Sequence, residues 1–147
     1  MKRSTVVWLL TFSQILICSC IYDSPKGDEF FRTLWTSEEA PLGTITLEFL
    51  CEGNISIKGD EAVGSYGTYQ TDGMTALFSS LKLQYDPEKF EEFDQEALNS
   101  ISTDPTGMVT IFIEEGHRTE DQLSINWHFS GSDASYTTTM ARQSSYK

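Results

Sequence analysis

Apolar and polar residues alternate along most of the chain, and the alternation is clearest from residue 43 onward. In "GTITLEFL", Ile45, Leu47 and Phe49 share one side while Thr44, Thr46 and Glu48 share the other. Period two of this kind marks a strand with one buried face. Gly53 and Asn54 then turn the chain into "ISIK", where Ile55 and Ile57 continue the inward row, so a tight hairpin is predicted. The loop "GDEAVGS" leads into "YGTYQ". Asp72 with Gly73 is the strongest local turn signal in the chain and predicts a type I′ hairpin into the return strand "MTALF". Ser79 and Ser80 predict a bend or bulge before "LKLQY", in which Leu81, Leu83 and Tyr85 alternate with Lys82 and Gln84.

The pattern changes between Asp86 and Ser100. "DPEKFEEFDQEALNS" is the densest acidic segment, yet Phe90, Phe93, Ala97 and Leu98 recur at helical spacings, which predicts a short amphipathic helix or structured crossover with Pro87 near its start. Its acids do not follow the ordered donor spacing, with an internal glycine, of a calcium loop. Alternation then resumes in "MVTIFIEE", where Val109, Ile111 and Ile113 oppose Met108, Thr110 and Phe112. After the polar turn "GHRTEDQ", Leu123, Ile125, Trp127 and Phe129 alternate with Ser124, Asn126 and His128; "SYTTTMAR" closes the series with Tyr136, Thr138 and Met140 on one face. The strands expected from pattern are 44–50, 54–58, 65–71, 74–78, 81–85, 108–114, 123–129 and 135–142, eight in all. Nearly every connection is of hairpin length, which favours an antiparallel meander over a parallel sheet with long crossovers. The predicted fold is therefore all-β, an antiparallel eight-stranded up-and-down barrel with one short helix or crossover; a β-sandwich is the alternative.

The first residues follow another logic. Lys2 and Arg3 precede a mostly apolar stretch from Val6 to Ile17, and a small residue, Ser19, stands before Cys20. These are the parts of a secretory signal. The apolar run, interrupted by Thr11, Ser13 and Gln14, is too short for a comfortable membrane span. The tetrad Ile17, Cys18, Ser19, Cys20 resembles the bacterial lipobox, and that resemblance implies cleavage before Cys20 and acylation of its thiol. More than one acyl chain gives stable anchoring where a single chain is marginal. The expected organisation is a lipoprotein signal over 1–19, a lipidated tether over 20–32 with Pro25 and Gly27, and a β-barrel domain over 33–147. The expected location is the bacterial cell envelope, lipid-anchored at the outer membrane, with the lipid bilayer as partner through Cys20.

Charge and cysteine content narrow the options further. The chain of 147 residues carries 10 basic and 22 acidic side chains; loss of Lys2 and Arg3 leaves eight against 22, a net of −14. Such a surface repels nucleic acid and anionic head groups, so no nucleic-acid partner is expected. With Cys18 removed and Cys20 acylated, Cys51 is the sole free thiol and no intrachain disulfide is expected; its place at a strand end fits a half-buried small side chain.

Candidate chemistry is sparse. No phosphate loop, nucleophile elbow, zinc-hydrolase helix or CxxC pair occurs, so no cofactor, metal site or catalytic residue is assigned. His117 and His128 have no evident partner, and adjacent pairs such as Glu91 with Glu92 or Glu114 with Glu115 read as a solvated face. Glycoside hydrolysis would need two carboxylates facing each other across a cleft. What remains is aromatic bulk: Phe49, Phe78, Trp127, Phe129 and Tyr136 fall at inward positions, with Thr138 beside them. They read first as core, and secondly as the lining of a cavity at one barrel mouth.

"LWTSEE", "ITLEFLCEGNISI", "GTYQTDGMTALFSSLKL", "LSINWHF" and "YTTTMAR", in that order over roughly 34–143, resemble small lipocalin-like lipoproteins of Bacteroidetes-type bacteria. The resemblance implies a calyx-shaped barrel that binds a small apolar or amphiphilic molecule, with Trp35 closing one end. Gly43 follows Trp35, whereas the lipocalin start motif has glycine ahead of tryptophan. The functional expectation is an exported, membrane-anchored lipoprotein binding a small hydrophobic ligand. Its alternative is a solid-core structural or interaction module whose exterior meets an envelope protein partner.

Overall fold

Backbone pairing joins the alternating segments into a ring. The strands of the computed structural model are β1 (Leu34–Ser37), β2 (Ile45–Phe49), β3 (Asn54–Gly59), β4 (Ala62–Asp72), β5 (Thr75–Ser79), β6 (Lys82–Tyr85), β7 (Val109–Arg118), β8 (Gln122–Phe129) and β9 (Ser135–Arg142). Residues 29–39, 41–90, 101 and 103–143 are described; the export segment, Cys20, residues 21–28 of the tether and residues 91–100 of the acidic crossover lie outside them. Every pairing is antiparallel; apart from β4 with β6 and β5 with β7 the pairings join chain neighbours, and the ring closes where Trp35 of β1 meets Arg142 of β9.

β5 and β6 share one lane. Both lie between β4 and β7, and the register on β4 runs unbroken from Asp72 opposite Thr75 to Ala62 opposite Tyr85. Nine segments thus make eight lanes, the closed up-and-down barrel expected from the pattern, and the sandwich alternative is set aside. The lane breaks at Ser80, whose φ of 63° no ladder residue adopts. Around the break the Ser65 hydroxyl accepts the Lys82 amide at 2.8 Å. A Cβ on Gly67 would fall 2.4 Å from the Ser79 carbonyl oxygen, so β4 can approach the break only without a side chain there.

Eight strands were expected and eight lanes are found, yet the two sets differ. The segments read as separate strands at 74–78 and 81–85 are one lane, and β1 was outside the strand set. β1 has four residues, of which Trp35 and Ser37 face inward, too few for alternation to register. The hairpin at Asp72 also differs from expectation: Asp72 pairs with Thr75, so Gly73 and Met74 form the loop. Positive φ occurs at Gly73 alone, 61°, which is the type II′ arrangement rather than type I′. Within the acidic crossover, Pro87–Phe90 forms a 3-10 turn.

The core is continuous through the barrel. Trp35, Ile45, Leu47, Phe49, Ile55, Ile57, Leu81, Leu83, Tyr85, Ile111, Leu123, Ile125, Trp127, Phe129 and Met140 are fully buried. One end carries residues 29–33, the 3-10 turn Cys51–Gly53, the Gly73 hairpin and the β7–β8 turn; this is the arm end. The other, the crossover end, carries the β1–β2, β3–β4 and β8–β9 connections and the long link from β6 to β7. Phe30, ahead of β1, belongs to the core.

Candidate functional site

A single extra residue determines what faces the barrel interior at the arm end. Ile113 lies opposite Trp127 and Glu115 opposite Asn126, leaving Glu114 as a bulge in β7. A one-residue insertion reverses which side chains point inward. Before it Val109, Ile111 and Ile113 are buried; after it Gly116 and Arg118 are. Arg118 retains 8% of its exposure. Its Nη1 donates to Glu29 Oε2 at 2.6 Å, and its Cζ stands 5.9 Å from the Phe30 ring centroid. Its Nε is buried with no hydrogen-bond partner.

The Phe30 ring, which the guanidinium faces on one side, packs onto an aromatic cup. The Phe49 ring is 4.9 Å from Tyr69, edge to face, and 6.0 Å from Phe78. Gly116 makes room for it, because a Cβ there would fall 2.9 Å from the Phe78 ring. The cup is covered by Phe30, fully buried and 4.9 Å from Phe49. Phe30 is not part of the ring of strands; it arrives on the arm that precedes β1. Backbone bonds hold the arm's base: the Arg32 amide donates to the Phe49 carbonyl and the Phe49 amide to that of Thr33, at 3.1 and 3.0 Å. Inside, Trp35 Nε1 donates to Thr33 Oγ1 at 2.8 Å, and that hydroxyl donates to the Phe30 carbonyl at 2.6 Å.

The candidate cavity residues therefore separate into two groups. Phe49 and Phe78 meet at the arm end, where Trp35 fixes the arm through Thr33. Trp127, Phe129 and Tyr136 stack toward the crossover end, with Trp127 and Tyr136 centroids 4.7 Å apart and Trp127 Nε1 donating to Thr138 Oγ1 at 3.0 Å. Tyr85 closes that end by donating its hydroxyl to the Leu42 carbonyl at 2.9 Å. Burial, reinforced by the nearby Glu61 charge, pushes this hydroxyl well above the ordinary tyrosine value. Trp35, Phe49, Trp127 and Phe129 keep 1% exposure or less, so no water-sized void borders them with the arm in place.

Glu29, Phe30, Tyr69 and Arg118 lay outside the set read from sequence. Only the apolar pair Phe30 and Phe31 in an otherwise charged stretch could have pointed to the arm. His117 is in β7, not a loop, exposed, with Nδ1 3.3 Å from Thr75 Oγ1. His128 does have a carboxylate beside it: the bulge brings Glu114 Oε1 to 3.5 Å on the outer wall. Cys51 is half-buried, as expected. Among the described residues no cluster of His, Cys, Asp or Glu could hold a metal ion. A shallow outer groove of about 430 Å³ runs along Thr36, Ser37, Glu39, Gln122, Thr139 and Met140, away from the aromatic cup.

The fold and this site define a class: a closed, eight-lane, lipocalin-like up-and-down barrel, an architecture able in principle to enclose a small molecule. Comparison with known proteins finds no matching family model, no similar curated protein and no matching solved structure.

Proposed function

We propose that the chain is an exported lipoprotein, acylated at Cys20 and held at the outer membrane of a bacterial envelope, whose barrel binds a small apolar or amphiphilic molecule. The observation that carries the binding role is the cup of Phe49, Tyr69 and Phe78, covered by Phe30 from an arm that is not a lane of the barrel. Aromatic surface joined to one convergent polar group is the composition of a small-molecule site. The anchoring role rests on the lipobox-like Ile17, Cys18, Ser19, Cys20 and the basic start, and the motif order resembles that of small lipocalin-like lipoproteins. From Cys20 to Glu29 the chain reaches at most about 30 Å when extended, so in this reading the arm end faces the bilayer. Native mass spectrometry of protein taken from its own membrane tests the binding role: a bound small molecule is expected, and a uniformly unliganded protein contradicts it. Globomycin tests the anchor, since it should make an unprocessed precursor accumulate.

The completeness of the packing favours a second reading, a solid barrel acting through its exterior. Val63, Tyr66, Met74 and Leu77 are large, apolar and exposed on or beside β4 and β5, with Tyr66 at 74%. Crosslinking in intact cells should then capture a reproducible envelope partner through this wall, and loss of that capture in Tyr66→Ser and Leu77→Ser would identify it.

A further inference from the structure

We propose that Glu29 and Phe30 occupy, from within the chain, a site for an external apolar carboxylate, with Arg118 as its anion anchor and the Phe49, Tyr69 and Phe78 cup as its apolar seat. The proposal rests on the barrel's binding role and names its ligand class. Arg118 is brought inward by the Glu114 bulge, nine-tenths buried, and yet its Nε has no partner. A guanidinium is a fork of donors that fits a carboxylate two bonds at a time. Glu29 fills only Nη1, and its own side chain is 60% exposed. A carboxylate standing in place of Glu29 would take Nε together with a terminal nitrogen, satisfying the donor that Glu29 leaves open.

What stands in the site already has the chemistry of the ligand. Adjacent residues place a carboxylate on the guanidinium and an aromatic ring in the cup. A free molecule with one apolar chain or ring and one carboxylate repeats that arrangement without the backbone between. The arm also has a place to bend: Arg32 has φ of 57°, a left-handed conformation that costs a residue with a side chain energy. Residues 32 onward are held to Phe49 and Trp35, whereas Glu29 and Phe30 lie beyond that hinge, tied back across it by the Thr33 amide and hydroxyl to the Phe30 carbonyl. Displacing them exposes the mouth without opening a lane of the barrel.

Calorimetric titration of the full mature chain tests this, with dodecanoate below its micelle concentration as probe, dodecan-1-ol as its neutral match and 3-phenylpropanoate as its aromatic counterpart. Dodecanoate is expected to bind at least ten-fold more tightly than the alcohol, and Arg118→Gln to erase that preference. Phe30→Ala should raise dodecanoate affinity about ten-fold, and Glu29→Gln, which changes only an exposed side chain, by a few-fold. The dodecanoate to phenylpropanoate ratio separates a chain-shaped ligand from a ring-shaped one. Saturable binding that ignores Arg118, or that gains nothing from Glu29→Gln, overturns the site and leaves a binding barrel standing. Absence of saturable binding by the parent and both arm variants overturns the binding role as well.

Discussion

Arg118 illustrates how a buried charge can be tolerated without being a source of stability. One of its nitrogens has no partner and the carboxylate of Glu29 that it pairs with is half in solvent, so desolvation outweighs what the pair returns. Arg118→Met is therefore expected to leave stability unchanged or to raise it by up to about 2 kcal/mol in urea unfolding. A loss above about 3 kcal/mol would show the charge to be a structural requirement. Phe30 behaves oppositely. Its ring is fully buried, and Phe30→Ala is expected to cost about 3 kcal/mol in the same measurement. Asp104 contributes a pH dependence. Its Oδ1 accepts from the Thr106 hydroxyl and from the Thr106 and Met108 amides, and these bonds hold its carboxyl below the ordinary aspartate range. A carboxyl lowered by folding stabilises above its unfolded value and loses that contribution as pH falls through the folded one. The melting-temperature gap between the parent and Asp104→Asn should be constant near neutral pH and close as pH falls through and below the aspartate range.

At the scale of elements, departures from regular pairing carry most of the information. The break between β5 and β6 requires Gly67, and Gly67→Ala should cost about 1–3 kcal/mol by forcing β4 away from the Ser79 carbonyl. Hydrogen exchange of the Tyr69 and Thr68 amides would locate the damage in that lane rather than across the barrel. These departures are also where the sequence was hardest to read. Ile45, Leu47 and Phe49, or Leu123 through Phe129, declare their faces by strict alternation, and the structure keeps those assignments. "IEEGHR" contains no such signal: two glutamates in a row look like solvated surface, although one of them is the bulge that turns Arg118 inward. Likewise Ser79 and Ser80 announced a bend, but only the partner strands reveal that the bend interrupts one lane instead of separating two.

For the whole molecule, the barrel was legible because one-sided burial and, apart from the β6–β7 link, hairpin-length connections repeat from residue 43 to 142; the lane that closes it, β1, was not. The mouth was not legible, because it is assembled from an arm, a bulged strand and three separate lanes whose meeting is a tertiary event. The two ends differ accordingly. Tyr85 and Leu42 bond across the crossover end from within the barrel's own connections, whereas the arm end is shut by Phe30. Amide hydrogen exchange at Thr33, whose N–H donates to the Phe30 carbonyl at 3.1 Å, reports that closure at a single site. With dodecanoate added, Thr33 is expected to exchange faster while Ile125 and Leu123 of β8 exchange no faster than before. Thr33 protection that persists unchanged at saturating dodecanoate would mean that the arm is a fixed part of the barrel and that the mouth beneath it admits nothing.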